Sequence, residues 1–192
     1  MTLICGIDEA GRGPLCGPVF ASAVIFDSSL RIDNLNDSKK ISKKNRMILY
    51  EEIKCKSIDY SFSYSTAQEI DEINILQSSL LAMKRAFDLL SVQPDYIFVD
   101  GIYCPDIKGI PMESIIRGDS NIPAISAASI VAKIERDKHM IVLGDKYPQY
   151  NLEIHKGYPT KEHLRLLELH GVNEIYRQSF SPVRKLINKK NT

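Results

Sequence analysis

The chain has 192 residues, an apolar fraction of 44% and a formal net charge of +1. This length suffices for one well-packed domain, residues 1–192, and the composition is ordinary for a globular protein. No run approaches the roughly 18 apolar residues of a membrane span, and no basic-then-apolar leader opens the sequence. Because the four cysteines lack the spacing of a zinc site or a disulfide framework, we expect reduced thiols and a cytoplasmic protein.

Basic residues are distributed unevenly along the chain. Residues 31–56 contain eight Lys or Arg against four Asp or Glu, and residues 177–192 contain five basic residues and no acidic one. A nucleic-acid surface and ordinary solvated helix faces both produce such a distribution, so charge alone leaves the two open.

The N-terminal part predicts a hairpin followed by a helix. Residues 2–7 and 19–26 are apolar runs joined by a Gly/Pro-rich turn, which is typical of two paired strands. Ser42 predicts the N-cap of a helix that extends to about Ile53.

The next segment predicts a strand and a second helix. Tyr60, Phe62 and Tyr64 alternate with polar residues, which favours a strand whose aromatic side chains face the core. A strip on which bases stack is the alternative for these three rings. Apolar residues at helical spacing over 80–90 predict a helix that Pro94 ends.

The second half alternates strands with helices, which predicts an α/β fold with a mixed sheet. The expected elements are strands over 96–99 and 112–116, a helix over 127–141 closed by Gly144, a helix from Thr160 to near Gly171, and a basic helical tail.

The run GIDEAGRGP at 6–14 carries the strongest chemical signal. Asp8 and Glu9 place adjacent carboxylates at the end of an apolar strand, and a glycine-rich turn with one arginine follows. Ionised carboxylates are costly beside a core, and a divalent cation is the usual compensation. Glycines allow the backbone N–H groups of the turn to approach a ligand closely.

Two further carboxylates are predicted to join this pair. Asp100 closes the strand over 96–99, and Asp119 precedes the long helix. If the first and fourth strands are neighbours, these like charges converge and need a metal to neutralise them. An oxygen-only cluster suits Mg²⁺ or Mn²⁺, and two-metal sites of this type hydrolyse phosphodiesters. Asp137 is an alternative to Asp119 as the fourth carboxylate of the metal site. The simpler interpretation of Asp137 is an i,i+4 ion pair with Lys133.

Six sequence blocks, in order, resemble the ribonuclease HII family, the bacterial type 2 ribonucleases H. They are GIDEAGRGP at 6–14, LNDSKKIS at 35–42, DG at 100–101, GDS with ISAASIVAKIERD within 118–137, HKGYPTKEH at 155–163 and RQSFSPV at 177–183. The resemblance implies a ribonuclease H-like fold, in which helices flank a central mixed sheet. It also implies a small C-terminal helical part, about 145–192, packed on the catalytic core.

The resemblance also implies an activity. Such an endonuclease hydrolyses the RNA strand of RNA/DNA hybrids and cuts 5′ of single ribonucleotides embedded in duplex DNA. It leaves 3′-hydroxyl and 5′-phosphate ends, requires Mn²⁺ or Mg²⁺, and removes misincorporated ribonucleotides and RNA primers. We expect a monomer that binds these nucleic acids and no membrane.

The resemblance assigns roles to particular residues. Catalytic metal ligands are expected at Asp8, Glu9, Asp100 and Asp119. The residues expected to contact the substrate are Gly11, Arg12 and Gly13 with Tyr158 at the ribose 2′-hydroxyl, and Ser38, Lys39 and Lys40 at the phosphates. Lys156 is a further candidate for binding nucleic acid, because it lies near Tyr158 in the sequence. Asn121 stands where the family often carries lysine, which is expected to weaken one phosphate contact.

Two alternative functions remain open on the sequence. A catalytically silent binder of RNA/DNA hybrids is the first, although all four carboxylates are retained. The second is the sister enzyme ribonuclease HIII, which shares the chemistry but tolerates single embedded ribonucleotides poorly.

Overall fold

The computed structural model describes residues 2–30, 32, 35 and 42–190, and this part of the chain forms one mixed sheet with helices on both faces. The strands are β1 (Leu3–Ala10), β2 (Val19–Asp27), β3 (Asp59–Ser65), β4 (Tyr96–Asp100) and β5 (Met112–Ile115). The helices are α1 (Lys43–Lys56), α2 (Ala67–Asp88), α3 (Pro123–Lys146), α4 (Leu152–His155), α5 (Lys161–His170) and α6 (Ser181–Lys190). The predicted α/β class is confirmed. Within the described ranges, no helix has the length and hydropathy needed to cross a membrane.

The sheet order is β3-β2-β1-β4-β5, which makes the first and fourth strands neighbours. β1 runs antiparallel to β2 and parallel to β4, with Ile7 opposite Val99. The next residues along the two strands are Asp8 and Asp100. Because side chains alternate between the faces of a sheet, these two carboxylates share the same face at the same edge.

Helix α3 packs directly against β1 because of one glycine. A Cβ built on Gly6 would lie 2.0 Å from the carbonyl carbon of Ala124, so no side chain fits between strand and helix. This close approach brings the first turns of α3 over the edge of the sheet that carries Asp8.

Three apolar clusters hold the elements together. The first lies between the sheet and α2, and the second lies between the opposite face and helices α1 and α3. The third joins the C-terminal helices to residues that follow β1, among them Leu15 and Cys16. An isolated antiparallel bridge pairs Cys16 with Tyr176 and ties the C-terminal part to the turn after β1.

The predicted N-caps and Gly171 lie where the helices begin and end, whereas Gly144 does not end its helix. Ser42 and Thr160 cap α1 and α5 as predicted, since each side chain accepts a backbone N–H of the first turn. The prediction that Gly144 closes the long helix is wrong, because α3 continues to Lys146. Gly144 instead makes room for Glu153, whose backbone nitrogen would lie 3.2 Å from an added Cβ.

The prediction that the β3 aromatic residues face the core is wrong for two of the three. Phe62 is 38% exposed and Tyr64 is 44% exposed, whereas Ser61 and Ser65 are buried on the face that packs against α2. β3 is an edge strand, and α3 covers mainly β1 and β2, so the aromatic face is only partly covered. The ring of Tyr64 stacks on Phe20 with 5.2 Å between centroids.

Candidate active site

Four carboxylates gather where β1 and β4 end. Asp8 is 5% exposed and Asp119, in a short 3-10 turn before α3, is 1% exposed. The backbone N–H of Asp119 donates to Asp100 Oδ1 at 3.3 Å, which joins the turn to the end of β4. Glu9 follows Asp8 within β1, which continues to Ala10 and does not stop before the pair as the sequence suggested.

Burial and mutual repulsion dominate the electrostatics of this group. The pKa of Asp8 is raised well above its usual range by burial, and then by the charges of Glu9 and Asp100. The pKa of Glu9 is also raised, mainly by burial, while the neighbouring Arg12 opposes the shift. Several negative charges at a poorly hydrated edge of the sheet are stabilised by a cation.

The donor chemistry fits a hard divalent cation, although the side chains are engaged locally. Asp8 Oδ1 accepts the N–H of Glu9 at 2.7 Å, and Glu9 Oε1 lies 3.3 Å from Arg12 Nη1. Among the described residues, no three His, Cys, Asp or Glu side chains are already arranged around a common metal position. Carboxylate oxygens with an excess of negative charge are the donors that Mg²⁺ and Mn²⁺ prefer.

The competing carboxylate, Asp137, has a different partner. Its Oδ1 lies 2.6 Å from Lys133 Nζ, which is the i,i+4 ion pair expected within a helix. Asp119 instead lies beside Asp100, and the Ser126 hydroxyl donates to its backbone carbonyl. The geometry therefore favours Asp119 over Asp137 as the fourth carboxylate of the cluster.

The glycine-rich turn and Tyr158 lie side by side on the surface. Gly11 has a φ of +97°, and a Cβ there would lie 2.0 Å from Arg136 Nε, so the turn closes over a buried arginine. Tyr158 is 41% exposed, and its Cε1 would lie 3.7 Å from a Cβ on Gly13. The Arg136 guanidinium lies 5.9 Å from the centroid of the Tyr158 ring. Residues far apart in sequence thus form one surface beside the carboxylates.

Lys156 belongs to a basic cluster next to this surface. Its Nζ donates to the carbonyl of Glu153 at 2.8 Å. Burial lowers the pKa of Lys156; among the charged neighbours, Asp137 opposes that shift, whereas the cations of Lys43 and Lys133 add to it. Phosphate oxygens would relieve the repulsion among these cations. The three predicted phosphate contacts, Ser38, Lys39 and Lys40, lie outside the described residues.

A family model described as Ribonuclease HII matches residues 5–183 of the chain. The chain belongs to the ribonuclease HII family. A ribonuclease HII from Nitrosospira multiformis is 50% identical over 184 residues, which cover 96% of this chain and 92% of the relative. The chain is therefore a ribonuclease H-type endoribonuclease, a class of enzyme that acts on RNA/DNA hybrids.

Solved structures extend the likeness to the fold. The crystal structure of ribonuclease H2 from Pyrococcus horikoshii superposes with a TM-score of 0.85 and 26% identity, and all of both chains is covered. A structure of Bst-RNase HIII in complex with Mn²⁺ gives a TM-score of 0.75 at 14% identity, covering 98% of this chain and 70% of that one. The predicted ribonuclease H-like fold is confirmed, and the second comparison concerns the fold alone.

Two buried arginines beneath the turn were not singled out from the sequence. Arg136 and Arg177 are both fully buried, which is rare for this residue type. Each lies inside a block that resembles the ribonuclease HII family, and that was the only available signal. The four carbonyl partners of Arg177 and the Pro18 carbonyl bound by Arg136 are more than 100 residues away in sequence, so no local pattern predicts these contacts.

Proposed function

We propose that this ribonuclease HII family member cuts duplex DNA on the 5′ side of a single embedded ribonucleotide, in addition to the RNA strand of longer hybrids. The products carry 3′-hydroxyl and 5′-phosphate ends. The observation that carries the proposal is the shared surface of the 11–13 turn and Tyr158 beside four converging carboxylates. In the cell this activity would remove misincorporated ribonucleotides and RNA primers.

Asp8, Glu9, Asp100 and Asp119 are proposed as the ligands of Mg²⁺ or Mn²⁺. Bound divalent cations of this kind activate water and neutralise charge on the leaving oxygen. Burial of Asp8 and the like charges around it support the assignment, because such a group is best satisfied by a cation. The similar ribonuclease HIII structure is itself a complex with Mn²⁺.

The turn and Tyr158 are proposed to recognise the ribose. The 2′-hydroxyl is the group that distinguishes RNA from DNA at a given position. Backbone N–H groups of residues 11–13 can donate to its oxygen, and the hydroxyl of Tyr158 can donate to it or accept from it. A deoxyribose leaves such groups unpaired, at a cost of about 1–3 kcal/mol each. Two or three of them suffice for strong discrimination without any contact to a base.

Basic side chains are proposed to position the duplex independently of its sequence. Lys156 and Arg12, together with Ser38, Lys39 and Lys40, supply charges and hydrogen-bond donors for phosphates, which fix register but do not read bases. We further propose a cytoplasmic monomer that functions as one domain over residues 1–192. The bridge between Cys16 and Tyr176 supports the single domain, because it ties the C-terminal part to the turn.

The deciding experiment uses two DNA duplexes that differ by one 2′-hydroxyl. The first carries a single ribonucleotide and the second is all DNA, and each is incubated with Mn²⁺, Mg²⁺ or EDTA. We expect one metal-dependent cut, on the 5′ side of the ribonucleotide, and no cut in the all-DNA duplex.

Two other results would favour the alternative functions. If only long hybrids are cut, the ribonuclease HIII-like alternative is favoured, and the role of the turn and Tyr158 at a single ribonucleotide is lost. If the duplex is bound but never cut in either metal, the assignment of the four carboxylates is wrong, as a silent binder would require.

A further inference from the structure

A single side chain binds most of the carbonyl groups in the glycine-rich turn. Arg177, which follows the bridge residue Tyr176, is fully buried beneath residues 11–17. Its guanidinium donates to four carbonyl oxygens: Nη2 to Gly11 at 2.7 Å, Nη1 to Arg12 at 2.9 Å and to Pro14 at 2.8 Å, and Nε to Gly17 at 2.9 Å.

These bonds fix the direction of the N–H groups in the same peptides. In a trans peptide the C=O and the N–H point to opposite sides. The carbonyls of Gly11 and Arg12 point inward to the guanidinium, so the N–H groups of Arg12 and Gly13 point outward. Arg177 therefore holds two consecutive backbone donors on the side of the turn that faces away from the interior. Consecutive N–H groups held in this way form a concave site for oxygen atoms.

Backbone and arginine hydrogen bonds also fix the distance between the turn and the loop that contains Tyr158. The N–H of Leu15 donates to the carbonyl of Gly157 at 2.8 Å, and the N–H of Arg177 donates to the carbonyl of Leu15 at 2.9 Å. Arg136 adds a second link, since its Nη2 donates to the carbonyl of Lys156 at 3.1 Å. The outward N–H groups and the Tyr158 ring are thus held relative to each other through Leu15 and the two arginines.

Only a guanidinium can satisfy this set of acceptors. All four are neutral carbonyls, and burial, followed by the nearby Arg136 cation, lowers the pKa of Arg177 to about 9. A lysine offers three donors at one point and loses its charge readily when buried. It could bind one or two of the carbonyls, and the remaining peptides of the turn would be free to rotate.

We propose that Arg177 is a positioning residue for ribose specificity, which holds the N–H groups of the turn in register with Tyr158. The inference rests on the proposed function, in which this surface contacts the 2′-hydroxyl. Loss of the Arg177 guanidinium is expected to lower the preference for a ribose. General duplex affinity should be retained, because other residues are proposed to contact the phosphates.

The test is equilibrium binding in EDTA, so that no cleavage and no metal enters the measurement. The two duplexes of the cleavage assay, with one ribonucleotide or none, are titrated against wild type, R177K and R165K. Arg165 is an exposed surface residue paired with Glu162, so R165K makes the same chemical change outside the site. We expect R177K to reduce the ratio of the two affinities about tenfold, equivalent to about 1.4 kcal/mol, and R165K to retain the wild-type ratio.

A second variant covers the case in which R177K does not fold. Asp71, on α2, accepts the N–H groups of Gln178 and Ser179 at 2.8 Å each and so anchors the segment next to Arg177 from outside the site. D71A should reduce the ratio in the same direction but by less, about threefold, which corresponds to about 0.7 kcal/mol.

The outcomes separate the two levels of inference. If the wild type does not distinguish the duplexes, the proposed reading of the 2′-hydroxyl fails, and with it the role of Arg177. If the wild type distinguishes them and folded R177K does so equally well, only the Arg177 proposal is overturned. If R177K does not fold, an unchanged ratio in D71A overturns it. A fall in both affinities by the same factor in R177K would also overturn it, because that result indicates general loosening.

Discussion

At the scale of single residues, substitution of the proposed metal ligand Asp8 is expected to separate cleavage from duplex binding. Asp8→Asn keeps the size of the side chain and removes its charge, so we expect cleavage of the single-ribonucleotide duplex to fall more than about 100-fold. This exceeds the usual effect of mutating a residue that only orients a metal ligand. Duplex affinity should stay within about threefold, because phosphates are held by other residues. Single-turnover cleavage and titration of the uncut duplex measure the two effects.

The matched control for Asp8→Asn is Asp137→Asn. Asp137 is ion-paired with Lys133 in the interior of α3, so its loss should change cleavage by no more than a few-fold. Equal losses of cleavage and binding in Asp8→Asn would contradict its assignment as a metal ligand. So would a collapse of the fold, since removing one of several repelling charges should not destabilise the protein.

The residues of the site differ in how far the sequence could reveal them. Asp8 and Asp100 could be placed together from the sequence only on the condition that the first and fourth strands are neighbours, and the sheet order meets that condition. The four carbonyl partners of Arg177 could not be found in this way, because they lie at least 160 residues away in sequence. A buried guanidinium bound to carbonyls leaves no local pattern, so such contacts become visible only in three dimensions.

At the scale of elements, the contact between β1 and α3 depends on the absence of a side chain at Gly6. Gly6→Ala would place a Cβ 2.0 Å from the carbonyl carbon of Ala124, and backbone atoms cannot yield by rotating a side chain. The helix must shift, so we expect the free energy of unfolding to fall by about 3 kcal/mol, at the upper end for overpacking. Urea unfolding of both proteins gives this difference.

Gly13→Ala is the control for that steric argument. Its added Cβ would meet only Tyr158 Cε1, at an ordinary 3.7 Å, so the free energy of unfolding should change by less than about 0.5 kcal/mol. A Gly6→Ala protein as stable as wild type would show that β1 and α3 can separate without cost, which would undermine the close packing that brings α3 over Asp8.

Element boundaries could be predicted where a local interaction sets them. Thr160 caps its helix through its own side chain, and such a cap is visible in the sequence. Thr66 and Glu69 form a reciprocal capping box at the start of α2, and this pattern is also local in the sequence. The face of Phe62 and Tyr64 could not be predicted, because strand alternation does not indicate which face of an edge strand the helices cover.

At the scale of the whole molecule, two buried, neutral histidines connect separate segments of the C-terminal part. His163 is buried, and its Nδ1 lies 2.9 Å from the carbonyl of Tyr158, so this nitrogen carries the proton. Its Nε2 lies 3.0 Å from the Tyr176 hydroxyl, which can then donate to it. This pairing connects the loop that bears Tyr158 with the segment that bears Arg177.

His155 has the complementary arrangement and stacks on His163 with 4.1 Å between ring centroids. Its Nε2 lies 2.8 Å from the carbonyl of Tyr150, and its Nδ1 accepts the N–H of Gly157 at 3.2 Å. A proton on Nδ1 would therefore face another donor. Burial lowers the pKa of His155, so both rings are neutral in the folded protein near pH 7.

Acidification should therefore destabilise the molecule well above the range in which most carboxylates titrate. Burial lowers the pKa of His163 from 6.5 to about 4, so between these values the unfolded chain binds more protons than the folded one. The stabilisation from neutral His163 is complete above pH 6.5 and is lost as the pH falls through about 4. Between pH 7.5 and 5 the expected loss is about 2 kcal/mol, and His155 acts in the same direction.

Urea unfolding of wild type and His163→Asn at pH 7.5 and pH 5, in EDTA, measures this contribution. Asn keeps a donor for the Tyr158 carbonyl but does not titrate, so the difference between the two pH values should shrink by about 2 kcal/mol in the variant. The raised pKa of Asp8 works in the opposite direction, because a folded-state group that binds its proton more tightly gains stability as the pH falls. That effect is common to both proteins and cancels in the comparison. If wild type and variant lose the same free energy between pH 7.5 and 5, the neutral histidine pair is not the cause of the protein's sensitivity to acid.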